Sequence, residues 1–436
     1  MSDTIYWIWL ATKLGVASRH LHYLLDRYSS AYDIFRADPE ELEMLDLKAE
    51  CIAALSDKDL RQAYAINDYC VSHKIGILTY SSEHYPAKLR FLKDPPAVLY
   101  FRGVLPNVND FLSIGVVGTR KISEYGKRSA YKIAYELGAA GVTVVSGMAS
   151  GIDGVSACGA ICGGGKTIAV LGSGIDVIYP KEHTKLYNKI IENGAVVSEY
   201  PPTTKPLGQH FPVRNRIISG LSNGTLVIEG DLRSGSLITA RRALVQGRDL
   251  FALPGNLGNK NSSGTNQLLH DGANLVIETE DILKPYEFYY GNTINYLGLH
   301  EAKGRSELDS EALSRMGVYF EMDDTSSQEV KHDVITVKEN KLRPRKIPKN
   351  KTEKDQPSTL SPQTITENKA EQNKKDTSSL SEVELKVLSS MPDDRAVSVD
   401  ALMRFGFSAS EIMGTLAMLE IKGFVSSLPG GLYIKA

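Results

Sequence analysis

Four cysteines in 436 residues are too few for a disulfide framework. The pair Cys158 and Cys162 has no histidine or further cysteine close by to complete a zinc set. These thiols are expected to be reduced and mostly buried, with no metal and no cofactor. No run of 18 apolar residues occurs, and the apolar patch at residues 6–10 follows Asp3 rather than a basic segment. Neither a membrane span nor a signal peptide is therefore expected, and the chain is read as cytoplasmic. An excess of one charge is missing too, since 50 Lys and Arg stand against 52 Asp and Glu for a formal net charge of −2. That excludes a wholly basic, histone-like nucleic-acid binder and leaves a local basic groove open. At roughly 100–200 residues per domain the length allows several domains.

What is present is unevenly spread. Residues 111–284 hold 25 of the 37 glycines and carry 18 basic against 14 acidic side chains. Residues 321–380 hold no glycine and no Phe, Trp or Tyr, with 12 basic and 11 acidic residues among Ser, Thr, Gln, Asn and Pro. Such a stretch buries too little apolar surface to offset its chain entropy, and it reads as a disordered charged linker. Seven basic residues within 341–355 fit either a solvated tether or transient attraction to nucleic acid.

Four domains follow: helical at 1–75, Rossmann-like at 76–290, a disordered linker at 291–379 and a winged helix-turn-helix at 380–436. In the first, Leu21, Leu24, Leu25 and Tyr28 share a helical face, and Asp38-Pro39-Glu40 opens a helix leading to Leu42 and Leu45. In the last, Ser381, Ser398 and the Ser408-x-x-Glu411 capping box open three helices, and strands at 424–427 and 432–435 form a terminal hairpin. The third helix offers no Arg, Asn or Gln to read base edges. A protein partner suits this module at least as well as duplex DNA.

The central block alternates β-branched runs at 113–117, 142–145, 167–171, 195–197, 225–228 and 249–253 with helical stretches. Each run ends in a small polar loop: Gly118-Thr119-Arg120, Ser146-Gly147, Gly172-Ser173-Gly174, Ser198-Glu199-Tyr200, Ser234-Gly235-Ser236 and Pro254-Gly255. This is the pattern of an α/β parallel sheet whose loops gather at the carboxyl edge, where helix starts favour an anion. Neither the dinucleotide G-x-G-x-x-G nor a Walker lysine pattern is met. His210-Phe211-Pro212-Val213-Arg214-Asn215-Arg216 suits phosphates and a stacked base, with Phe211 or Tyr200 doing the stacking. An arginine buttress to Glu199 or Glu229 is the structural alternative. Arg120 and Lys181 extend the positive track. Asp153 and Glu199 are the carboxylates placed for acid–base work, or for capping and arginine pairing.

At these residues the sequence resembles the DNA processing protein A family (DprA/Smf). The matching pieces are G-T-R at 118–120, S-G-M-A-S-G-I-D at 146–153 and G-K-T-I-A-V-L-G-S-G-I-D at 165–176. Y-P-K at 179–181, S-E-Y-P-P at 198–202 and F-P-V-R-N-R-I-I-S-G-L-S at 211–222 follow, then S-G-S-L-I-T-A at 234–240 and G-R-D-L-F-A-L-P-G-N at 247–256. The resemblance implies an extended Rossmann-like domain that binds single-stranded DNA without sequence preference, forms a homodimer and loads the recombinase RecA in natural transformation and recombination. It implies no enzyme activity. It assigns DNA contacts to Arg120, Lys181, Phe211, Arg214, Asn215 and Arg216, and the strand-end loop residues Gly118, Ser146, Gly147, Gly172, Ser234, Gly235 and Ser236 complete the expected site. Ser150 and Ala157 stand where the family usually has a basic residue and a histidine. The N-terminal helices lack the G-x-G hairpin of helix-hairpin-helix DNA binders. The competing reading is a nucleoside-monophosphate phosphoribohydrolase with Glu199 as its carboxylate, although that group's P-G-G-x-G-T loop is absent.

Overall fold

The computed structural model describes residues 3–323, 380–392, 397–398, 402, 409–428 and 432–435. The chain divides into two compact units, residues 1–337 and 338–436.

The first unit is built on a nine-stranded sheet. Its strands are β1 (Gly76–Thr79), β2 (Val98–Gly103), β3 (Ser113–Val117), β5 (Thr143–Ser146), β6 (Thr167–Val170), β7 (Gly194–Ser198), β8 (Gly224–Val227), β9 (Asp249–Ala252) and β10 (Asn274–Leu275). The short β4 (Lys121–Ile122) lies outside this sheet and pairs in parallel with β11 (Glu321–Met322). The spatial order is β1-β2-β7-β6-β5-β3-β8-β9-β10. From β7 to β10 every pairing is parallel, and β2 joins both β1 and β7 antiparallel.

Helices cover both faces, so the inner strands are apolar on both sides. Along β5, Val144 enters one core and its neighbour Val145 the other. The helices Glu124–Ala139 and Ile152–Cys162 pack closely on the first face. A Cβ at Gly159 would lie 2.5 Å from the Tyr131 carbonyl oxygen, so only glycine permits that approach. The helices His210–Leu221 and Gly235–Val245 cover the opposite face, where Ile217, Ile218, Leu221 and Ala240 are buried.

Residues 3–72 form six helices. The first, Asp3–Leu14, is buried all round from Ile5 to Leu10, as expected for a helix wrapped by others. This bundle is docked on the sheet domain. Ala17 donates its N–H to Glu199, Tyr69 its hydroxyl to Asp176, and Trp7 stacks on Tyr80 at 6.0 Å.

Residues 291–323, expected to be the start of the linker, fold onto the sheet domain instead. Helices Tyr296–Ala302 and Ser310–Arg315 bury Leu299, Ala302, Ala312, Leu313 and Met316 against the sheet domain. Ser306 Oγ donates to the buried Glu136 carboxylate at 2.7 Å, which also accepts from Thr279 Oγ1. The apolar spacing of these two helices supplies the burial that holds them to the sheet domain. Residues 324–379 of the expected linker lie outside the described residues.

The second unit contains the helix Glu382–Ser390, a helix at Ala409–Ile421 and the antiparallel hairpin of β13 (Val425–Leu428) and β14 (Leu432–Lys435). Ser381 and Glu384 form a reciprocal capping box at the first helix. Val397–Ser398 is a strand, β12, paired with β14; Leu402 is helical, and the start of the helix expected after Ser398 lies outside the described residues. Ser408 lies outside the described residues. Val387, Leu402, Ile412, Leu416, Leu419 and Val425 make the small core. Among the described residues no helix is long and apolar enough to cross a membrane.

Candidate nucleic-acid interface

From β3 the chain steps outward through β5, β6 and β7, then returns to β8 on the other side of β3. Ligand crevices of open α/β sheets form at such a reversal, outside the carboxyl ends of the strands. Here a cleft of about 470 Å³ is lined by Gly118 and Arg120 after β3, Ala149 and Asp153 after β5 and Tyr179 after β6. Phe211, Arg214 and Asn215 before β8 and Ser234, Gly235 and Ser236 after it complete the wall.

Phe211, Arg214, Asn215 and Ile218 stand at i, i+3, i+4 and i+7 of the helix His210–Leu221, and all four line the cleft. The Phe211 ring is the centre of the arrangement. The guanidinium of Arg120 lies 5.3 Å from its centroid and that of Arg214 5.8 Å, both within cation–π range. Tyr179, 41 % exposed, meets the same ring at 5.5 Å.

Arg214 is only 3 % exposed. It donates to the carbonyl oxygens of Gly147 and Val170. Burial pulls its pKa down to about 10, and the nearby Asp153 opposes that pull, so it keeps its charge at neutral pH. Asp153 accepts N–H bonds from Gly147 at 3.1 Å and Ala149 at 3.4 Å. Burial raises the Asp153 pKa, while Arg214 and these bonds act against the rise. Asp153 is thus held by the Gly147–Ala149 loop that Arg214 also bonds, its charge favouring that of Arg214, and it is the only carboxylate among the residues lining this cleft.

The glycines serve the site from behind. A Cβ on Gly147 would lie 2.3 Å from Arg214 Nη1, one on Gly172 3.0 Å from the Phe211 ring, and one on Gly118 2.5 Å from Ile152. Their absent side chains make room for Arg214, Phe211 and Ile152. Nothing lies within 4 Å of a Cβ placed on Gly235. Gly147→Ala is therefore expected to cost about 1–3 kcal/mol by overpacking, whereas Gly235→Ala should leave thermal stability within about 0.5 kcal/mol. Paired melting curves check the contrast.

Several expected site residues lie outside this cleft. Ser146 is buried and donates to the Val116 carbonyl at 2.7 Å. Arg216 is 1 % exposed, bonded to Glu199 at 2.5 Å and 3.6 Å from Asp94. It is the buttress, because two residues along a helix turn a side chain by about 200° away from Arg214. Tyr200 is buried and stacked on His210 at 4.2 Å, so its ring is not offered to a ligand. Glu199 is held by Arg216 and the Ala17 N–H and lines a different pocket, against the N-terminal helices. Lys181 is exposed and sits in a neighbouring cleft with Arg120 and Tyr179. Sequence reasoning missed Tyr179 as a stacking surface, although the Tyr-Pro-Lys run marked a turn beside the lip.

The profile of the family DNA recombination-mediator protein A matches residues 76–287, and that of the DprA winged helix domain matches residues 371–431. The DNA processing protein DprA of Bacillus subtilis is 43 % identical over 210 residues, which cover 48 % of this chain and 71 % of the relative. The chain belongs to the DNA processing protein A (DprA/Smf) family. Protein Smf of Escherichia coli is 48 % identical over 208 residues, 48 % of this chain and 55 % of its own length. The crystal structure of DprA from Streptococcus pneumoniae superposes with a TM-score of 0.57 at 34 % identity, covering 65 % of this chain and 98 % of that one. In this DprA-family chain Ser150 lines the neighbouring cleft and Ala157 is buried in the helix Ile152–Cys162. Residues 288–370 fall outside both profiles.

Proposed function

We propose that this DprA-family protein binds single-stranded DNA without sequence preference in the Phe211 cleft, protects it, and passes it to the RecA recombinase during natural transformation and recombination in the cytoplasm. The observation that carries the reading is the Phe211 ring set against the Arg120 and Arg214 guanidinium groups at the mouth of a strand-end cleft. Phosphates would sit on Arg120, Lys181 and the start of the helix Gly235–Val245, with Asn215, Ser234 and Ser236 as neutral donors. A base would stack on Phe211 at about 1–3 kcal/mol. Every base has a π-face, so stacking of this kind tolerates any sequence.

We further propose a homodimer formed along the open edge at β10, where Leu275 is 49 % and Ile277 78 % exposed. An unpaired apolar edge of this kind invites a second strand. No covalent step is assigned to the cleft, whose carboxylate accepts from the Gly147 and Ala149 N–H groups.

Fluorescence anisotropy with a labelled oligo(dT) and a duplex of equal length, at one moderate salt concentration, tests the reading. The single strand is expected to bind at least tenfold more tightly. Equal affinity for the duplex would contradict it.

A further inference from the structure

A second cleft, of about 530 Å³, adjoins the first and shares Arg120, Ala149 and Tyr179 with it. Lys121, Ser150, Pro180, Lys181 and Glu182 line part of the remaining wall, and Tyr319 and Glu321 complete it from a segment outside both family profiles. We propose that this cleft is a second nucleotide slot, in which Tyr319 and Tyr179 take up a base next to the one on Phe211. The inference rests on single-stranded DNA being the ligand of the first cleft.

The segment is fixed where it passes the lip. The Tyr319 N–H donates to His183 Nε2 at 2.8 Å, and its carbonyl accepts from the Gly151 N–H at 3.1 Å. His183 is fully buried, and its Nδ1 bonds the Met148 carbonyl at 3.0 Å. One neutral tautomer satisfies both contacts, with Nδ1 donating and Nε2 accepting. Downstream, β11 pairs with β4 and the Asp323 N–H donates to the Ile122 carbonyl. The backbone of residue 319 is thus held on two sides while the residue as a whole stays 39 % exposed. Holding the backbone lowers the entropy that a stacking contact must overcome.

The chemistry around the ring is that of a nucleotide rather than of a bare anion. Arg120 and Lys181 offer positive charge for phosphates, and Tyr179 and Tyr319 offer two partly exposed rings for a base. Glu321 lies 3.6 Å from Lys121 and offsets its charge. A carboxylate in that corner disfavours a phosphate there and can accept from an exocyclic amino group. A duplex keeps its base faces stacked and cannot fill the slot.

The native tryptophans make the test direct. Trp7 and Trp9 are 1 % and 0 % exposed in the N-terminal helix, so their emission is a constant background. In the full chain, Tyr319→Trp is expected to show saturable fluorescence quenching on addition of oligo(dT), with the midpoint of the anisotropy curve. Tyr319→Ala should weaken oligo(dT) binding by roughly tenfold, and Tyr319→Phe should restore it, which a merely structural role of the ring hydroxyl would not do. If the wild type binds oligo(dT) but Tyr319→Ala binds as tightly and Tyr319→Trp is not quenched, the second slot is wrong and the first stands. If the wild type does not bind oligo(dT), both fall together.

Discussion

Arg120→Ala is expected to lower the affinity for single-stranded DNA by about ten- to a hundredfold at moderate salt, with no change in melting temperature. Arg120 is exposed and has no carboxylate partner among the ion pairs of the described residues. Its charge is therefore available to a phosphate, and a charged hydrogen bond contributes about 1.5–3 kcal/mol. It also faces Phe211, so its loss leaves the ring with only the buried guanidinium of Arg214. Adding Phe211→Ala removes the stacking surface, and because the two side chains touch, the losses should fall short of additive. Anisotropy titrations of the two single variants and the double variant measure the coupling. Unchanged binding by Arg120→Ala would move the interface away from the β3 lip.

Arg216→Ala should behave in the opposite manner, costing about 3–5 kcal/mol of stability, with DNA affinity per folded molecule retained. Its guanidinium is buried between Glu199 and Asp94, and removing one partner of a buried pair leaves an uncompensated charge. Burial already raises the Glu199 pKa, and Arg216 is the main influence holding it down. Without Arg216 that pKa rises further. A carboxyl whose folded pKa lies above its unfolded value destabilises the fold at pH above the folded pKa, and the deficit closes as pH falls toward the unfolded value near 4.5. The variant should accordingly recover stability on mild acidification, and Glu199→Gln added to it should remove that pH dependence. Thermal melts of both variants between pH 5 and 8 check the sign. A variant as stable as wild type that has lost DNA binding would return Arg216 to the cleft.

The contrast between these two arginines shows what the sequence made legible. The β-branched runs and their polar ends were readable because a parallel strand covered on both faces is buried along its whole length, as β3 and β5 are, and so is rich in apolar β-branched residues. The cleft followed from those ends. Arg-Asn-Arg was read as one positive cluster, yet its residues lie on a helix, and only the stripe Phe211, Arg214, Asn215 and Ile218 reaches the cleft. Helical periodicity applied to residues 210–221 would have separated the two. Ser146 and Tyr200 were assigned by their place in loops, whereas their burial depends on strands and helices distant in sequence.

Residues 296–323 were obscured by the polar run that follows them. Averaged with that run they read as linker, but Leu299, Leu313 and Met316 are spaced to bury on helices. Gly317, with φ +65°, ends the second helix in a conformation suited to glycine. The apolar Val318-Tyr319-Phe320 then continues to the lip. No local signal named His183 as the residue that holds it there, since the contact joins positions 136 apart in sequence.

The central claim is that a few charges at the strand ends hold the phosphates of a single strand, and the salt dependence of oligo(dT) binding tests it most directly. Log Kobs should fall linearly with log[salt], and Arg120→Ala should reduce the magnitude of the slope by about 0.7, the increment for one phosphate on a single strand. A slope that Arg120→Ala leaves unchanged would contradict the account.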